Sequence, residues 1–157
     1  MITMKRFLIF IAAVSLFISC KKPPTVIADG SPEFSGTMTV LHEGENFPQD
    51  GIKVQVEFSP GNSTIDIMLK KVKFVPAMPV SIDVTILQVP VTQESDGSWS
   101  FAGHDMIPWA MGGPYDTYRV YDLHGMVSSS TLTFSLGFYN TKKQENYPTS
   151  YSGTLQK

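Results

Sequence analysis

The chain has 157 residues, a formal net charge of −2, 42% hydrophobic residues and one cysteine. This length fills one domain with a core of its own, and a single thiol excludes a disulfide-stapled scaffold. The slightly acidic balance offers no basic field, so no nucleic-acid partner is expected.

From the N-terminus, Lys5 and Arg6 precede the apolar run FLIFIAAVSLFI, Phe7 to Ile18. As a helix it would rise about 18 Å, well short of the ~30 Å core of a bilayer. A basic flank, a short apolar run and the small residue Ser19 read as a secretory signal peptide over residues 1–19. Cys20 follows at once. SLFISC, Ser15 to Cys20, resembles a bacterial lipobox, in which the cysteine is diacylated and becomes the mature N-terminus. Phe17 and Ile18 are bulkier than the usual residues, as in the relaxed lipoboxes of Bacteroidetes lipoproteins. Residues 20–33, CKKPPTVIADGSPE, are rich in Pro and small polar residues and are expected to form a lipid-anchored flexible tether. Two or more acyl chains make such an anchor stable. The expected location is the bacterial cell envelope, at the outer membrane. No acidic run follows Cys20, which puts the periplasmic face ahead of the cell surface.

Residues 34–157 form the domain, and their pattern has period two. FSGTMTV (34–40) opens it, and IKVQVEF (52–58), the turn SPGN and TIDIML (64–69) follow. The apolar phase then slips by one residue to Val72 and Phe74, which predicts a bulge at Lys70 and Lys71. SIDVTILQV (81–89) is the next strand, with Pro90 expected at an edge or a second bulge. Asp96-Gly97 predicts a two-residue hairpin turn into SWSFAG. TYRVYDLHGMV (117–127), the turn SSS and TLTFSLGFY (131–139) follow, the last with Leu132, Phe134, Leu136 and Phe138 on one face. The domain closes on YSGTLQK (151–157), which repeats the aromatic-Ser-Gly-Thr-apolar pattern of its first strand. Pairing of these two end strands would close a barrel and remove both sheet edges. Eight strands are predicted in all.

Eight strands, a lipobox and the passage VKFVPAMPVSIDV, with Pro76, Met78 and Pro79 in its turn, resemble the calycin-like β-barrel lipoproteins of the Bacteroidetes. The resemblance implies an all-β fold: an eight-stranded antiparallel up-and-down calycin-like barrel behind an N-terminal lipoprotein signal peptide. The Gly-x-Trp of calycins is absent, since Thr37 and Met38 follow Gly36. Ligand habits therefore do not carry over, and the family has no catalytic residues to transfer.

Little in the domain carries chemistry. His42, His104 and His124 lack the spacing of a zinc site, and the domain has no cysteine ligand. GHD (103–105) with His124, Asp116 or Asp122 reads as solvated polar residues, and Asp66 and Asp83 as outward-facing carboxylates on adjacent strands. Ser128 to Ser130 lack the glycines of a nucleophile elbow. No enzyme, metal or cofactor is expected. The unusual stretch is HDMIPWAMGGPYDTY (104–118), a long connection with apolar and aromatic residues between Pro and Gly breakers. It reads either as a plug for one barrel end or as a lid over an apolar cavity. Met106, Trp109, Met111 and Tyr115 are its candidate ligand-binding residues. The expected function is non-catalytic binding of a small apolar ligand in or at the mouth of the barrel. The alternative is a filled barrel whose loops dock another envelope protein or a glycan.

Overall fold

The computed structural model describes residues 31–157; the expected signal peptide, Cys20 and the tether up to residue 30 lie outside the described residues. The elements in chain order are β1 (Glu33–His42), β2 (Glu45–Phe58), β3 (Thr64–Val72), β4 (Ile82–Gln93) and β5 (Trp99–Gly103). Two short strands, β6 (Trp109–Ala110) and β7 (Gly113–Pro114), precede β8 (Tyr118–Val127), β9 (Thr131–Asn140) and β10 (Glu145–Leu155). The eight longer strands each pair with their neighbours in sequence, and β1 pairs with β10. The result is a closed, antiparallel, up-and-down barrel of eight strands.

Closure runs through the two similar segments. FSGT and YSGT lie antiparallel, with Ser35 opposite Thr154, Gly36 opposite Gly153 and Thr37 opposite Ser152. β10 is paired on its other side with β9, so neither end strand leaves an open edge.

Alternation puts the apolar positions inside. Ile65, Ile67 and Leu69 are fully buried, and so are Val72 and Phe74 after the phase slip; Leu132, Phe134, Leu136 and Phe138 line the inner face of β9. The outer face carries hydroxyls, amides and charges. That polarity is the reverse of a membrane-spanning barrel, which turns an apolar band outward.

The bulge at Lys70 and Lys71 is present: both oppose Asp83, and Lys71 has φ 53°. The Asp83 carboxylate accepts the Lys71 N–H at 2.8 Å. β4 mirrors this arrangement. Its bulge lies at Leu87 and Gln88 opposite Asp66, Gln88 has φ 55°, and the Asp66 carboxylate accepts the Gln88 N–H at 2.7 Å. The second bulge therefore falls two residues before Pro90, which keeps its place in the ladder opposite Thr64. Each aspartate satisfies the backbone donor that a bulge strands, which is a structural role for both. Burial raises the Asp66 pKa, with the Gln88 N–H acting against it. Bulges bend and twist a strand, which helps a sheet close on itself.

The Asp96-Gly97 turn is longer than expected. Glu94 N–H donates to Ser98 O at 2.8 Å and Gly97 N–H to Glu94 O at 3.0 Å, with Gly97 at φ 86°. This is a three-residue loop ending in a left-handed glycine and a bulge. The Asp96 side chain completes it by accepting from the Ser98 N–H at 2.9 Å.

Candidate functional site

The barrel has two ends of different character. One carries the β1–β2, β3–β4, β5–β8 and β9–β10 connections and is filled with rings. Phe74 packs against Tyr118 at 4.9 Å and Phe138 at 4.3 Å between ring centroids. Tyr115 extends the chain of rings from Tyr118 at 5.4 Å, and His42 stacks on Tyr147 at 5.8 Å. The 73–81 connection crosses this end. Gln49 pins it by bonding both the N–H and the C=O of Lys73, and Met78 packs on the core.

The 104–118 segment is built into the wall here. β5 meets β4 only from Val91 to Gln93, which leaves the rest of β4 without a neighbour on that side. Trp109 in β6 pairs with Thr85 of β4, and Met106 exchanges two backbone hydrogen bonds with Val120 of β8. A tight turn at Met111 and Gly112, both with positive φ, joins β6 to β7. The segment thus replaces the missing length of β5, where the sequence pointed to a plug or lid over the barrel end. The physical reason is the hydrogen-bonding demand of an uncovered strand edge, which apolar content does not register.

The four candidate residues do not converge on one cavity. Trp109 and Met111 border a shallow outer pocket of about 130 Å³ with Met68 and Asp83, and Met111 is 74% exposed. Met106 packs beside Gly103 on the core, and Tyr115 belongs to the aromatic end.

The opposite end carries the β2–β3, β4–β5 and β8–β9 turns, together with Pro32, where the described chain enters, and Leu155. A pocket of about 310 Å³ opens there, lined mainly by apolar side chains: Phe34, Val56, Phe58, Trp99, Val127 and Leu155. Phe34 is buried at 1% exposure and Leu155 stands at 37%, so the pocket runs from core to solvent. Phe58 and Trp99 meet edge to face at 5.3 Å. Hydrogen bonds from Val56 N–H to Pro32 O and from Leu155 N–H to Ser130 O hold the rim. In the sequence Trp99 simply follows the Asp96-Gly97 turn. Its nearness to Phe58 and Leu155 is a product of closure, with no local signal.

Outside the barrel, His104 and Asp122 sit 3.3 Å apart, both largely exposed. His124 takes other partners: its Nδ1 lies 2.9 Å from Asp122 O and its Nε2 2.9 Å from Ser135 Oγ. Among the described residues no three His, Cys, Asp or Glu side chains gather as metal ligands.

No protein-family model matches the chain, and no curated protein matches it. Among solved structures it is similar to a "putative outer membrane protein" of Bacteroides fragilis, with a TM-score of 0.61 and 17% identity. The match covers 80% of this chain and 50% of the other, so the chain spans about half the length of that protein. At that identity the likeness is one of fold, and the fold is a closed eight-stranded antiparallel barrel.

Proposed function

We propose that this is a lipid-anchored, non-catalytic protein of the bacterial cell envelope that binds a small apolar molecule at the mouth of its barrel. The observation that carries the reading is the pocket walled by Phe58, Trp99, Val127 and Leu155, which reaches inward to Phe34. Apolar clefts of this size, open at one side, are the ordinary form of a small-molecule site. The lipobox-like SLFISC supplies the anchor, and the Bacteroides fragilis neighbour is consistent with an outer-membrane setting. The pocket opens at the end where Pro32 joins the tether, on the side that the anchor would hold toward the bilayer. This reading moves the ligand from Met106, Trp109, Met111 and Tyr115 to the other end of the barrel.

Titration of the purified domain with dodecanoate tests it. Tryptophan emission is expected to change saturably in wild type and in Trp109→Phe, and to lose its response in Trp99→Phe. Phe58→Ser should weaken binding, because it puts an unpaired hydroxyl into an apolar wall. A response that follows Trp109 would return the site to the 104–118 segment. No saturation at micromolar concentration would overturn the reading.

A further inference from the structure

The outer surface over β9, β10 and β1 is unlike the rest of the barrel. Its outward positions are Thr131, Thr133 and Ser135 on β9, Ser150, Ser152 and Thr154 on β10, and Ser35, Thr37 and Thr39 on β1. The registers set these in rows: Ser135 opposite Ser150 opposite Thr39, and Thr133 opposite Ser152 opposite Thr37. Beyond them toward the aromatic end lie Gly137, Tyr139, Asn146, Pro148 and Leu41. Charge enters only at the margins of this face, at Glu33 at the start of β1, which pairs with Lys53 and Lys70, and at Asp50, which accepts from the Thr37 hydroxyl. Roughly a quarter to a third of an ordinary protein surface is charged.

A groove of about 390 Å³ crosses this face, bordered by Thr39, Asn46, His124, Ser135, Asn146 and Ser150, with the exposed Asp122 as the one charged residue in its lining. Gly137 forms part of its floor, and the Asn146 side chain lies over the space that a Cβ there would occupy. Tyr121 is the cross-strand partner of the lining residue Gly137 and meets Tyr139 edge to face at 6.0 Å and His104 at 5.2 Å, so two half-buried rings lie on the outer face next to the groove, outside its lining. His124 is already oriented. The Asp122 carbonyl can only accept, so Nδ1 donates to it, and in the neutral imidazole Nε2 accepts from the Ser135 hydroxyl. The Ser135 oxygen keeps lone pairs for an outside donor.

We infer that this outer groove is a second binding site and that it takes a neutral saccharide chain. A sugar ring presents a rim of hydroxyls that both donate and accept, around a face of C–H bonds. The hydroxyls of Thr39, Ser135 and Ser150 and the amides of Asn46 and Asn146 match the rim. The rings of Tyr121 and Tyr139 suit the C–H face, since a tyrosine joins an apolar body to a polar tip. A nucleic acid or an anionic bilayer would call for Lys and Arg, which the face lacks. A protein partner's binding energy concentrates in buried aromatic and Arg anchors, with Ser and Thr under-represented. The site is on the opposite side of the wall from the apolar interior, so it stands independently of the mouth pocket.

Affinity electrophoresis of the full mature chain through gels containing neutral polysaccharides (dextran, starch, mannan or xylan) tests the inference, with heparin as the charged comparison. Retardation by at least one neutral polymer is expected. Tyr121→Ala with Tyr139→Ala, and separately Asn146→Ala, should each weaken it at least tenfold at an unchanged melting temperature. Ser150→Glu, on an exposed position, provides a variant that leaves the rings and core intact and should weaken binding similarly. Trp99→Phe should leave it unchanged. Absence of retardation by all four neutral polymers, retardation by heparin alone, or retardation that survives these substitutions would overturn the inference.

Discussion

Gly36 lies directly opposite Gly153 across the β1–β10 seam, and neither position has room for a Cβ. A Cβ on Gly36 would overlap the Ser152 backbone, and one on Gly153 would overlap the Tyr151 hydroxyl. The Tyr151 ring therefore lies along the inside of its own strand. Its hydroxyl donates toward the Phe34 and Ile52 carbonyl oxygens, each at 3.1 Å. The short sequence match between the chain's end strands is thus a packing device at the closure.

Gly153→Ala is expected to destabilise the domain by ~1–3 kcal/mol through overpacking, and Gly36→Ala by more, because its obstacle is backbone. Ser152→Ala, on the solvent side of the same strand, should stay within about 0.5 kcal/mol of wild type. Urea unfolding measures all three. Equal stabilities would show that the β1–β10 register is different.

Burial of Tyr151, aided by the Glu33 charge, pushes its hydroxyl up to about 12 from an ordinary value of 10.0. Burial also raises Tyr147, whose hydroxyl bonds the Glu145 carboxylate at 2.6 Å. Folding thus favours the neutral phenols. For Tyr151 the stabilisation is complete below pH 10, falls as the unfolded chain ionises above it, and is lost once pH passes about 12. Stability should decline over that window, and Tyr151→Phe should flatten the decline while costing ~1 kcal/mol at neutral pH for the lost hydrogen bond. Denaturant midpoints from pH 7 to 12 give both values. An alkaline limb unchanged in Tyr151→Phe would sink the assignment.

Phe134 stacks on Tyr151 at 5.1 Å and lies 6.5 Å from Phe101, while Phe138 is fully buried against Phe74. Truncation of either to Ala should cost ~3–5 kcal/mol, the range for a large aromatic removed from a packed interior. A Phe134→Ala domain that melts with wild type would mean that β9 faces the other way.

Cys20→Ser should release the protein from membranes or leave its precursor unprocessed. Membrane fractionation and the mass of the mature N-terminus read the outcome. A variant that matures and sediments like wild type would end the lipoprotein proposal.

Alternation along the chain is a local property, and it carried most of the fold. The slip from Leu69 to Val72 located the Lys70–Lys71 bulge, and the apolar run from Leu132 to Phe138 fixed the inner face of β9. The matching ends, Phe34–Thr37 and Tyr151–Thr154, foretold the seam that closes the barrel. Where backbone pairing decides, the pattern was silent. The apolar content of Met106 and Trp109 points to a plug or a lid, but their place is set by the unpaired length of β4 beside a five-residue β5. The mouth pocket and the outer groove needed closure itself. Pro32, Phe58, Trp99, Val127 and Leu155 come from five separate parts of the chain, and only the geometry of the closed sheet brings them to one rim. A side chain's choice of face is set by its immediate neighbours in sequence, but its neighbours across a barrel end depend on every strand's register at once.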